Sequence, residues 1–334
     1  MNHYTDIGAE TVLKVAGLSK VFPVRSGLLG RGGEVIRAVD DISLTVRKGE
    51  TLGLVGESGC GKSTAGKTIM RLYEPTSGTI SLKGQDITRL RGRALRAIRR
   101  ELQIVFQDPF SSLNPRMTAG RIVGEPLTIH GLARGSKKAD RVAELFHRVG
   151  LRPDQMRRYP HEFSGGQRQR LAIARALSVD PDLIVADESV SALDVSIQAS
   201  IINLMMDIQK EHGLSFLFIA HDIAVVEHIS HQIAVMYLGR IVEMGPRARI
   251  VTAPRHPYTK ALLSAVPVPD PNRKPDPFRL KGDVPSPINP PSGCTFHTRC
   301  PLAFDRCRIE APAFREVVPG QFSACHLDIA EDAP

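Results

Sequence analysis

The sequence has no tryptophan, and aromatic residues make up only 5% of its 334 positions. So few rings argue against single-stranded nucleic-acid binding, which depends on stacking platforms. No run approaches the roughly 18 uninterrupted apolar residues that a membrane-spanning helix needs, so no such helix is predicted. Met1 to Val15 lacks a positive segment followed by an apolar one, so no secretion signal is expected and the chain is expected in the cytoplasm. There is no internal repeat and no heptad stretch. Five cysteines in a reducing compartment do not suggest a disulfide frame.

What is present is ordinary for a folded protein: 42% hydrophobic and 24% charged residues, enough apolar surface to exclude a disordered chain. Lys and Arg exceed Asp and Glu, for a net charge of +9. That surplus fits nucleic acid, anionic membrane surfaces or phosphorylated ligands and does not choose among them.

Periodicity predicts strands over 12–18, 35–46, 51–55, 102–106, 183–186, 215–220, 233–238 and 241–244. Helices are predicted over 62–73 and 195–211, and 25–33 reads as a Gly- and Arg-rich loop. The segment 89–100 carries six arginines with Leu90, Leu95 and Ile98 at helical spacing. It reads first as a solvated helix face, with lipid headgroups or a partner as the alternative. Residues 110–178 are mostly helical in pattern. The alternation predicts an α/β fold with a parallel or mixed central sheet and an inserted helical subdomain. Residues 256–266 fit one more helix, but nine prolines in 267–291 exclude regular structure there. A domain boundary is therefore placed near 255, separating 10–255 from 256–334.

Gly56-Glu57-Ser58-Gly59-Cys60-Gly61-Lys62-Ser63-Thr64 fits G-x-x-x-x-G-K-[ST] directly after a predicted strand and at the head of a predicted helix. Glycines let the backbone curl so that successive N–H groups face phosphates, and the helix N-terminus adds positive potential. Lys62 is placed to reach the β- and γ-phosphates, and the Ser63 hydroxyl to bind Mg²⁺. Cys60 reads as a small loop residue rather than a nucleophile. Downstream, Leu183 to Ala186 is an apolar strand ending in Asp187 and Glu188. Asp187 is placed to hold Mg²⁺, directly or through water, and Glu188 to polarise an attacking water. Between these motifs, Ser164-Gly165-Gly166-Gln167 opens an amphipathic helix, a second anion-binding N-terminus. One nucleotide needs one phosphate loop, so the second site suits a nucleotide held by a partner, in a head-to-tail pair of ATPase domains.

Taken in this order, the motifs resemble those of ABC-transporter ATPases over roughly residues 10–255. The resemblance implies a P-loop NTPase fold, with Phe22 stacking on adenine and Gln107 touching Mg²⁺ and water. It makes Ser164 to Gln167 the signature motif, Ser191 to Asp194 the loop that couples two sites, and His221 the histidine at the γ-phosphate. Without the resemblance, His221 reads as a helix cap. Two departures stand out: Phe163 replaces the usual leucine before the signature, and Ser189 replaces the proline after Glu188. The missing proline is expected to loosen the base slightly; an active ATPase is still expected.

Arg255 to Ser264, Gly282 to Pro287 and Pro290 to Cys294 resemble the C-terminal extension of dipeptide and oligopeptide permease ATPases. They look most like the second of the two ATPase subunits in dipeptide importers. Cys294, Cys300, Cys307 and Cys325 form C-x5-C-x6-C-x17-C. Sulfur-only ligation fits zinc or an iron–sulfur cluster, zinc ribbons prefer C-x2-C pairs that are absent here, and free thiols are the third reading. His297 and His326 are alternative ligands. Resemblance favours a 4Fe–4S cluster. It also implies the ATP-binding subunit of a peptide importer, with ATP and Mg²⁺, at the cytoplasmic face of the plasma membrane. The partners implied are a second ATPase subunit, two integral-membrane permease subunits and an external peptide-binding protein, with no nucleic acid. The same architecture carries nickel, glutathione or other solutes in relatives; a soluble ATPase acting on DNA or ribosomes is the reading from another class.

Overall fold

Three short apolar runs are strands with every residue buried: β3 (Thr51–Val55), β7 (Leu183–Asp187) and β8 (Ser215–Ala220). Such uninterrupted apolar strands belong inside a parallel sheet covered on both faces. In the computed structural model, which describes residues 10–24, 34–108, 112–191, 193–266 and 282–330, the chain forms two compact units. Burying each Leu, Ile or Val of these strands contributes about 1.5–3 kcal/mol.

One unit is built from residues 10–14, Thr45–Thr51 and Ser81–Ile219. Here β6 (Leu102–Val105) runs parallel to β7, and β7 parallel to β8, with Leu102 opposite Leu183 and Leu183 opposite Ser215. Between β6 and β7 the described residues hold helices only, chiefly Ala119–Ile129, Gly135–Arg148 and Gly165–Leu177. The helix Val195–His212 ends at Gly213, whose φ of 62° is the left-handed conformation of a C-terminal cap. The arginine-rich helix runs Gly92–Glu101, starting three residues later than its pattern predicts. Gly92 has φ 57°, outside the right-handed helical region, so the helix cannot extend back through it. Only Ile98 of this helix is buried.

The other unit is built from the described residues of Val15–Leu44, Leu52–Ile80 and Ala220–Pro334. There β9 (Gln232–Tyr237) lies parallel to β3, with Leu52 opposite Gln232. β10 (Arg240–Pro246) returns antiparallel through a tight turn at Leu238 and Gly239, both at positive φ.

The C-terminal segment is less irregular than its sequence suggests. β11 (Arg315–Val318) and β12 (Gln321–Ser323) form a hairpin, and β12 pairs with β10 through Glu243 and Met244. Strands of three and four residues are too short to carry a period, which is why they escape a sequence reading; Pro319-Gly320 between Val318 and Gln321 is the turn signal that marks them. Glu243, wholly buried, ties this region together. Its carboxylate accepts the N–H groups of Arg255 (2.7 Å) and His256 (3.0 Å) and the Gln321 amide (2.8 Å). The expected loop 25–33 and most of the proline-rich stretch lie outside the described residues.

Candidate active site

The phosphate-type loop leaves β3 at Gly56 and enters the helix Lys62–Ile69. Gly61 caps that helix at φ 105°, and a Cβ there would stand 2.0 Å from the Ala38 carbonyl oxygen. Only glycine fits, and the cradle it leaves is one that backbone N–H groups can line. Lys62 is buried and lies back along the loop, its Nζ donating to the carbonyls of Gly56 (2.7 Å) and Glu57 (2.9 Å). Burial pushes the Cys60 thiol up, so it is held as the thiol, consistent with a packing role.

Two contacts on this loop have no counterpart in the sequence reading. The Glu57 N–H donates to the Tyr258 hydroxyl at 2.8 Å, and the Glu57 carboxylate pairs with both terminal nitrogens of Arg299 at 2.6 and 2.9 Å. No pattern in a single sequence signals a pairing between residues 242 positions apart.

In the same unit, Phe22 lies near the end of β1 (Thr11–Pro23), 5.5 Å from the Tyr73 ring in edge-on contact, with the Lys20 ammonium 4.8 Å from its ring centre. Phe22 is half-buried, not a core residue. His221 is exposed just after β8, and the helix cap is its neighbour Asp222, whose carboxylate accepts the Ala224 N–H at 2.8 Å.

In the other unit, Asp187 is buried at the end of β7 and Glu188 follows at φ 46°. The Glu188 N–H donates to the Ile219 carbonyl (2.9 Å), and its own carbonyl accepts the Ser191 hydroxyl (2.9 Å) and N–H (3.2 Å). These bonds clamp the backbone that Ser189, in place of proline, was expected to loosen. Gln107 donates its side-chain amide to the Glu188 carboxylate at 2.7 Å.

Ser164 caps the helix Gly165–Leu177 in a capping box: its hydroxyl accepts the Gln167 N–H at 3.4 Å, and the Gln167 side chain accepts the Ser164 N–H at 3.1 Å. Ser164 is exposed and Gly166 is buried, where a Cβ would stand 2.5 Å from Ile197. Phe163, the departure from leucine, is a buried core residue. Asp194 precedes the helix Val195–His212; the first residue of the expected coupling loop that is not described is Ala192.

The tail cysteines form no disulfide. Burial raises Cys300 to about 11 and Cys325 to about 12, and it raises Cys294 as well. Among the described residues, no three His, Cys, Asp or Glu side chains come close enough to hold one metal ion. Among these residues the expected ligand set is thus not gathered around a single ion. His297 and His326 each already commit a ring nitrogen to a backbone carbonyl, of Cys294 and Glu310, at 2.9 Å.

Comparison with known proteins decides the family. Residues 39–191 match the ABC transporter family, and 242–307 match the oligopeptide/dipeptide transporter C-terminal region. A probable peptide ABC transporter ATP-binding protein of Sinorhizobium fredii is 54% identical over 96% of this chain and 90% of its own length. The chain belongs to the ATP-binding proteins of peptide ABC transporters. The oligopeptide transport ATP-binding protein AppF of Bacillus subtilis is 53% identical over 97% of this chain and 99% of its own. Among solved structures, the ATP-binding cassette MJ0796, a post-hydrolysis dimer bound to ADP and phosphate, matches with a TM-score of 0.63. Its identity is 30%, over 70% of this chain and 98% of that one. The structure of cbiO1 from Clostridium perfringens, part of the ABC transporter complex cbiONQ, matches at 0.62 with 26% identity, over 73% of this chain and 92% of that one.

As an ABC ATPase, the chain binds MgATP and hydrolyses it to drive transport, on an α/β P-loop NTPase fold. The Gly61 cradle and the helix N-terminus behind it fit a nucleotide phosphate. No helix among the described residues is long and apolar enough to cross a membrane.

Proposed function

We propose that this chain is the ATP-binding subunit of a peptide importer, with dipeptides as the leading cargo class, and that it works at the cytoplasmic face of the plasma membrane. Residues 10–255 form the ATPase domain and 256–334 the permease-type extension. It pairs with a second, homologous ATPase subunit and serves two integral-membrane permease subunits, fed by an external peptide-binding protein. The observation that carries this reading is the joint presence of a phosphate loop and a separate, exposed, capped helix N-terminus at Ser164 in one chain. The first takes this chain's nucleotide and the second completes the partner's.

In this mechanism the Lys62 ammonium turns from the Gly56 and Glu57 carbonyls to the β- and γ-phosphates. Ser63 and Asp187 hold Mg²⁺ together with Gln107, and Phe22 stacks on adenine. The backbone from Gly56 to Thr64 lines the phosphates. Glu188 takes the proton of the attacking water, with Gln107 orienting its carboxylate, while His221 and the partner's signature motif contact the γ-phosphate; Asp194 couples the two sites. Contacts to the γ-phosphate exist only with ATP bound, and only such differential contacts can shift a conformational equilibrium. Closure is transmitted to the membrane subunits through the helical region. A cavity of about 710 Å³ there, lined by Arg93, Arg96, Arg99, Gln103, Ile129 and His130, offers a cationic groove for the purpose.

The four tail cysteines take a 4Fe–4S cluster on this reading. A cluster spreads its thiolates around a core wider than one ion, and the charge of Cys294 pushes the pKa of both Cys300 and Cys325 further up, which puts these sulfurs within reach of one another's fields.

Tagging the chain in its host and extracting membranes in mild detergent tests the assembly. Two multi-span proteins and a second ATPase are expected to co-purify. Ribosomal proteins or DNA with no membrane subunit would overturn the reading. Anaerobic protein is expected to hold iron and sulfide in equal amounts; their absence removes the cluster.

A further inference from the structure

Glu57 is the second residue of the phosphate loop, and it is anchored twice by the C-terminal segment. Tyr258 accepts its backbone N–H, and Arg299 grips both oxygens of its carboxylate. A bidentate pair fixes orientation as well as distance, so together the two contacts leave the Glu57 peptide little freedom to rotate. Both anchors are themselves rigid. Arg299 is 7% exposed, donates its N–H to the Phe296 carbonyl at 3.0 Å, and has its guanidinium 5.9 Å from the Tyr237 ring centre. Tyr258 is fully buried and donates its N–H to His256 Nδ1 at 3.0 Å. Tyr237, Tyr258 and Phe296 pack ring against ring at 4.8–5.4 Å.

The Glu57 carbonyl, in turn, accepts the Lys62 ammonium and the Cys60 N–H. Anything that moves the Glu57 peptide therefore moves the resting place of Lys62. Charge matters too: a bare carboxylate in this loop would oppose an incoming polyphosphate, and Arg299 neutralises it at contact distance.

We propose that Arg299 and Tyr258 are positioning residues of the phosphate loop, which hold and neutralise Glu57 so that the loop and Lys62 stand ready for ATP. This rests on the reading that the loop binds ATP. The C-terminal segment is then part of the nucleotide-binding apparatus, where a purely structural strap would only hold the tail in place.

The test uses the full chain in its assembled transporter, with a fluorescent ATP analogue for binding and steady-state hydrolysis for KM and kcat. Arg299→Gln is expected to raise the KM for ATP about tenfold, with kcat per folded molecule changed less than about threefold. Arg299→Lys, which keeps the charge but loses the fork, is expected to fall between. The double variant Glu57→Gln/Arg299→Gln is expected to recover most of the lost affinity, because no bare carboxylate remains. If Arg299→Gln does not fold, Tyr258→Phe keeps the ring in its cluster and removes only the acceptor for Glu57; its KM is expected to rise about threefold. A KM within twofold of wild type in Arg299→Gln, or in Tyr258→Phe where Arg299→Gln does not fold, even with a lowered melting temperature, overturns the proposal. Failure of the wild-type chain to bind the analogue, or full binding by Lys62→Ala, would instead sink the ATP reading on which it rests.

Discussion

Gln107 and Glu188, 81 residues apart in the chain, meet through a 2.7 Å hydrogen bond from the Gln107 amide to the Glu188 carboxylate. The bond holds the Glu188 carboxylate in place, on a backbone that is clamped by Ile219 and Ser191.

Removing the carboxylate's basicity while keeping its shape should separate binding from chemistry. Glu188→Gln is expected to lower kcat for ATP hydrolysis by about 10²–10⁴-fold, with ATP affinity nearly unchanged. Full turnover by this variant in the assembled complex would take the base assignment away from Glu188.

Gly61→Ala places a methyl carbon 2.0 Å from the Ala38 carbonyl oxygen, on a backbone at φ 105°. Neither the contact nor the dihedral can relax locally. The variant is expected to lose about 3 kcal/mol of stability and its ATP binding, read by chemical denaturation and nucleotide titration. Gly59→Ala makes the comparison: its Cβ would meet nothing within 4 Å, so only its positive φ is strained, and a loss of about 1 kcal/mol is expected.

Ser164→Ala deletes one arm of the capping box at the signature helix. A stability cost of about 1 kcal/mol is expected, together with a fall in hydrolysis by the assembled pair and little change in this chain's own ATP affinity. Equal losses in both would place Ser164 at its own chain's nucleotide instead.

His256 is wholly buried, and burial pushes its pKa from 6.5 down to about 3. Below about pH 6.5 an unfolded histidine takes up a proton that the folded one refuses until about pH 3. The unfolded state then binds more protons, so this residue's contribution to stability is present above about pH 6.5 and is lost as pH falls. His256→Asn retains an acceptor for the Tyr258 N–H and removes the titration. Between about pH 6 and about pH 4 its stability is expected to fall less steeply than wild type, by up to about 1.4 kcal/mol per pH unit. Parallel slopes in denaturant titrations would mean that His256 protonates in the folded state.

The parts of this molecule legible in its sequence are those whose physics is local. A phosphate loop needs particular residues at adjacent positions, because glycines at 56, 59 and 61 must bend one short backbone; buried parallel strands need unbroken apolar runs, as in 183–186 and 215–220. The capping box at Ser164 spans only three residues. Boundaries were less legible where one dihedral decides them, as at Gly92, and the hairpin of β11 and β12 was hidden because its strands are too short to show a period. The grip of Arg299 on Glu57 and the role of Glu243 as a buried acceptor for three donors depend on residues brought together only by folding. A charge pair separated by hundreds of residues leaves no mark in either neighbourhood, since each partner alone reads as an ordinary surface charge. Local backbone chemistry thus declared the nucleotide loop in advance, while the hold that the C-terminal segment has on that loop came only from tertiary packing, which creates the low-dielectric, ring-lined setting where such a pair is worth forming.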